Sequence, residues 1–189
     1  YLDYSNGSVV PYALANHILD RDLNGSGLEI DTQFNSALDN QNGCTAGLSW
    51  YYGFDSAPDG GTSFLSVVLH EIVHGMGFIG LMGSSAHAPF SWPDGKEGFS
   101  LLSKNLGRAG LSATLDEMTR GQRIIAMTSG DRLTWKGDSA NNKTSNYSSG
   151  VNQNEIQFYA PSSFDSGSSL SHFDVDLAPD ELMEPIYTD

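Results

Sequence analysis

Two histidines four residues apart, within TSFLSVVLHEIVHGMGFIG (62–80), restrict this chain more than any other stretch. Residues 62–74 read as a helix. Thr62 or Ser63 serves as its N-cap, and Leu65, Val68, Leu69, Ile72 and Val73 give it a broad apolar face. Gly75 and Gly77 are good stops. On such a helix, positions i and i+4 lie on one face about one turn apart. His70 and His74 can then reach one ion at roughly 2.0–2.1 Å. Glu71, between them, can reach a water that the ion acidifies, and a carboxylate there can take its proton. The plainer alternative is a helix whose His and Glu only face solvent. The apolar packing and the glycine stops favour the metal.

A catalytic zinc needs a third protein ligand and an open position. The short continuation of such a motif would place a histidine at position 80, where this chain has Gly80. The residues leave several candidates. His17 lies on an apolar helix and reads more readily as a core or cap histidine. His87 lies in the loop SSAHAPF. Glu97 would suit a histidine–glutamate plan, and His172 is distant in sequence.

HEIVHGMGF resembles the zinc helix of the metzincin clan of metallopeptidases. Ser171-His172-Phe173-Asp174, followed by Glu181-Leu182-Met183-Glu184-Pro185, resembles the downstream signature of the leishmanolysin-like branch, which has a long insertion before its third histidine. Phe173 and Asp174 stand where that signature has tryptophan and glutamate. The segments LANHILDRDL, FNSAL, WYYGFD and YAPSSFDSGSSLSHFD extend the likeness to bacterial secreted relatives, with least support across 81–150.

The resemblance implies His70, His74 and His172 as zinc ligands and Glu71 as general base. It implies Met183 as the methionine of the turn beneath the metal. Tyr187 is a candidate stabiliser of the oxyanion, and Asp174 a candidate orienter of a ligand histidine. It also implies a protein or peptide substrate and a location outside the cell.

Two acidic groups suggest calcium. Asp20, Asp22, Asn24 and Asp31 partly follow an EF-hand loop, with Gly27 and Asp31 departing from it, and read first as a turn. Asp174, Asp176 and Asp180 form the second group. Trp50, Tyr51 and Tyr52 read as core packing ahead of a substrate cleft. The single Cys44 can form no internal disulfide.

Nine Lys and Arg against 23 Asp and Glu give a net charge of −14, which disfavours nucleic acid and anionic membranes. No apolar run is long enough for a membrane span. The remaining pattern predicts a helix over 9–19, strands at 28–34, 48–54 and 155–160, irregular chain over 81–111, a helix over 115–128 opened by Thr114 and Glu117, and an exposed loop over 136–150.

The fold expected is mixed α/β (α+β): one zincin-type domain over 1–189, assumed monomeric. Its active-site helix packs on a small mixed sheet, and an insertion over about 81–170 precedes the third ligand. The reaction expected is peptide-bond hydrolysis. The rivals are a non-catalytic secreted metal-binding or adhesive module, and a zinc hydrolase of non-peptide amides.

Overall fold

A computed structural model describes residues 1–3, 7–40, 48–58, 61–82 and 88–186. The N-terminal part contains β1 (Leu2–Asp3), β2 (Ser8–Val10), α1 (Tyr12–Leu19), β3 (Ser49–Tyr51), β4 (Gly61–Ser63) and α2 (Phe64–Gly75). Next come β5 (Phe90–Ser91), β6 (Glu97–Ser100), β7 (Leu106–Arg108), α3 (Arg120–Met127) and β8 (Leu133–Trp135). The short helix α4 (Asp138–Asn141) and the hairpin of β9 (Val151–Asn152) with β10 (Glu155–Ile156) follow. The molecule is thus mixed α+β at the coarse level.

Its largest sheet has the order β1-β2-β6-β5. β2 and β6 run parallel and the outer pairs antiparallel, so the sheet is mixed. β3 and β4 form a separate parallel pair that leads straight into α2. Ser63 caps that helix, accepting a hydrogen bond from the Ser66 N–H.

Several local expectations are corrected. Val9 and Val10 belong to a strand, not to the first helix. Both are fully buried and β-branched, which suits a sheet, and Pro11 then opens α1. Residues 28–34 alternate as a strand would but pair with no other strand among the described residues. Their apolar side is used elsewhere: Ile30 lies so close to Gly75 of α2 that a Cβ there would stand 2.8 Å from it.

The helix expected from 115 starts at Arg120. Thr114 and Glu117 do make their hydrogen bond, but it closes a turn, because Leu115 is drawn into the core and bonds Leu106 through its N–H. The working capping box is Thr119 with Gln122. Residues 81–111, expected to be irregular, supply β5, β6 and β7. The loop over 136–150 contains α4.

The main core lies in the segment expected as an insertion. Leu102, Leu106, Leu115, Met127, Leu133 and Phe158 form its buried centre. Phe78 and Phe173, one from each half of the candidate site, pack against it. Their rings lie 5.2 Å apart, and both contact Phe158. Such aromatic contacts each contribute about 0.5–1.5 kcal/mol beyond area burial.

The apolar stripe of α2 is not covered as expected: Leu65, Leu69 and Ile72 are 39–44% exposed. The helix is held instead on other faces, by Phe64 against Phe34, Trp50 and Tyr52, and by the buried His70. Trp50 and Tyr52 touch Phe64, but none of Trp50, Tyr51 and Tyr52 belongs to the buried core expected of them, and Tyr52 is 58% exposed.

Candidate metal centre

The turn spacing of α2 places His70 and His74 side by side, with their Nε2 atoms 3.0 Å apart. His172 arrives from far along the chain. Its Nε2 lies 3.0 Å from that of His70 and 3.1 Å from that of His74. Its position follows from backbone pairing. The N–H of Tyr159 bonds the His172 carbonyl, and the N–H of Asp174 bonds Gln157. The N–H of Phe173 bonds the carbonyl of the buried Met183.

Each ring is turned by a backbone carbonyl. Nδ1 of His70 bonds the Leu182 carbonyl at 2.7 Å, that of His74 the Phe78 carbonyl at 2.7 Å, and that of His172 the Ser168 carbonyl at 2.8 Å. A carbonyl only accepts, so each Nδ1 carries the proton. In a neutral imidazole Nε2 is then an acceptor. Three acceptors therefore face one another at about 3 Å, an arrangement that repels itself unless a cation stands among them.

A tetrahedral ion with bonds of about 2.0–2.1 Å would hold its nitrogens about 3.3 Å apart. The observed triangle is close to that. His70, His74 and His172 form a group that could hold a metal ion, and among the described residues no other group of three such side chains comes together.

Burial favours the neutral form of His172 and His74. His172 is brought from 6.5 down to about 4, by burial first and by the two neighbouring imidazoles, with the Ser168 carbonyl opposing them. Burial lowers His74 as well, opposed in part by the Phe78 carbonyl. A histidine depressed in the folded state takes up its proton first in the unfolded chain, so the metal-free protein loses stability as pH falls from about 6.5 towards 4. Thermal melts of the metal-free chain should therefore shift steadily down over that window. A melting temperature flat between pH 7 and 4.5 would contradict the lowering of His172 and His74.

Gly80, where the short motif would have its histidine, has a different part. A Cβ there would lie 2.4 Å from Cβ of Leu170 and 2.9 Å from its carbonyl oxygen. The Gly80 N–H donates to Ser171 Oγ at 3.0 Å. The absent histidine is thus a contact point for the segment that brings His172. Leu170 itself holds φ at 72°, a left-handed conformation unusual for leucine, two residues before His172. Gly80→Ala should cost about 1–3 kcal/mol by overpacking, read as a lower melting temperature. Gly121→Ala, in a helix with nothing near its Cβ, should raise it instead.

The other expected residues fall as follows. Glu71 is exposed and lines, together with His74, a cleft of about 390 Å³ whose opposite wall is the 28–32 segment. Met183 is buried, and the carbonyl before it orients His70. Asp174 orients none of the three histidines, because carbonyls hold all three Nδ1 atoms. Its buried carboxyl, raised by desolvation, accepts instead from the Asp176 N–H. His17 and Glu97 are exposed and away from the triad. His87, Cys44 and Tyr187 lie outside the described residues.

Neither calcium group gathers. Asp22 accepts from the N–H groups of Asn24 and Gly25 within its own turn, and Asp20 and Asp31 do not converge with it. Asp174, Asp176 and Asp180 do not converge either.

Three partners were not legible beforehand: the carbonyls of Phe78, Ser168 and Leu182. Backbone acceptors leave no residue-type signal. Ser171 stood inside SHFD, but nothing in the pattern marks its hydroxyl as the acceptor for Gly80. Comparison of the chain with protein-family models, with curated proteins and with solved structures finds no match.

Proposed function

We propose that this chain is a zinc-dependent endopeptidase of the metzincin clan, similar to the leishmanolysin branch, acting on proteins or peptides outside the cell. The observation that supports it most is the convergence of three Nε2 acceptors, with Glu71 beside His74 in the same cleft. Imidazole ligands suit zinc, and three protein ligands leave a position open. Zinc held there would supply a Lewis acid that acidifies a water and polarises the scissile carbonyl.

The chain's own residues do the rest. His70, His74 and His172 hold the ion, each locked in the Nδ1–H tautomer by its carbonyl. Glu71, exposed in the cleft, takes the proton of the attacking water and passes it to the leaving nitrogen. The cleft between α2 and the 28–32 segment holds the peptide. Met183 stabilises the loop whose Leu182 carbonyl aims His70.

The test is hydrolysis of a casein-like substrate by the zinc-loaded chain beside Glu71→Ala. A panel of non-peptide amides separates a peptidase from another zinc hydrolase. Zinc binding with no hydrolysis of any substrate would leave a non-catalytic module.

A further inference from the structure

The cleft beside the candidate centre has a consistent chemistry. Glu29, Asp31 and Glu71 line it, and Tyr12 and Ile30 add apolar surface. Among the described residues no lysine or arginine lines it. Glu29 is exposed but has a side-chain partner. Nδ2 of Asn16, from α1, donates to its Oε1 at 3.1 Å and to Asn24 Oδ1 at 3.0 Å. That hydrogen bonding fixes the wall to a helix.

The combination suits one kind of side chain. A long cationic residue can lay its methylene stem along apolar surface and keep its charged head on carboxylates. Tyr12 adds an aromatic face to which a cation is attracted. A chain of net charge −14 also draws cationic ligands from a distance. An acidic residue in the same place would face two carboxylates of its own charge.

We propose that Glu29 and Asp31 make this cleft a subsite for a lysine or arginine side chain of the substrate, so that the enzyme selects cationic peptides. The inference rests on the peptidase reading, and its test separates the two. Peptides carrying lysine, its neutral isostere norleucine, or glutamate at each position around one scissile bond are compared by kcat/KM.

At one position lysine should exceed norleucine by about tenfold, the size expected of two partly exposed carboxylates. The ratio should fall towards one in the Glu29→Gln/Asp31→Asn double variant, and also on raising salt from about 0.05 M to about 0.5 M. Asp138→Asn removes an exposed charge outside the cleft and should leave the ratio intact.

Binding of the same peptides, fluorescently labelled, to the zinc-loaded Glu71→Ala chain gives a readout free of turnover. Cleavage by the wild type with no charge preference overturns the subsite and keeps the peptidase. No cleavage, but lysine-selective binding that needs Glu29 and Asp31, overturns the peptidase and keeps the subsite. A ratio unmoved by the double variant sinks the assignment of these two carboxylates.

Discussion

Replacing His172 by alanine is expected to strip the metal from the chain while leaving it folded. Apparent zinc binding of roughly 10–16 kcal/mol in four-ligand structural sites corresponds to about 3 kcal/mol or more for each ligand. Loss of one ligand should therefore weaken binding by about a hundredfold or more. Zinc content after dialysis, compared between wild type, His172→Ala and His87→Ala, reads the effect directly. The wild type should retain one zinc per chain, His87→Ala should match it, and His172→Ala should retain none. Loss with His87→Ala alone would overturn the triad.

The geometry gives this experiment a second reading. His172 sits 98 residues beyond His74, and its ring belongs to the segment paired with 157–159. The ion would close a long loop between α2 and the part that holds the main core. A bound metal stabilises by mass action, so zinc should raise the melting temperature of the wild type and leave His172→Ala unmoved.

Glu71→Ala should remove hydrolysis while zinc remains. A positioned general base contributes about 10²–10⁴-fold, so kcat/KM on a casein-derived peptide should fall by about that factor. Zinc content should stay at the wild-type level, because all three ligands and their carbonyl partners are untouched. The pairing of the two results is what discriminates. Hydrolysis surviving in Glu71→Ala would sink the proposed base, and zinc lost together with activity would make Glu71 a ligand instead.

Much of the site could be read from residue types, because its logic is local or chemical. Spacing of four on an apolar helix is enough to put His70 beside His74, and their Nε2 atoms do lie 3.0 Å apart. His172 of SHFD, eleven residues before Met183, was followed through a resemblance, and the fold independently brings it to the other two histidines. What escaped was whatever depends on distant partners. The alternation of 28–34 suggested a strand, yet a strand exists only with a neighbour to pair with, and Ile30 found Gly75 instead. Thr114 and Glu117 fit a capping box, but Leu115 was claimed by the core, which no local rule weighs. That the core itself lay across 102–170 could not be seen, since its residues come from short strands, one helix and the turns between them.

The three carbonyls behind the histidines have a consequence for how this sequence can vary. Phe78, Ser168 and Leu182 hold the rings through atoms that every amino acid possesses. Mutation can exchange the side chains at these positions without deleting the acceptor, provided the backbone keeps its path. Phe173 and Asp174 can then differ from the tryptophan and glutamate of the signature this segment resembles without disarming the ring beside them. Selection would hold tightly the three imidazoles and the turns that aim them, and would leave the letters around them free to drift. A centre built in this way can persist long after the text surrounding it has stopped looking familiar.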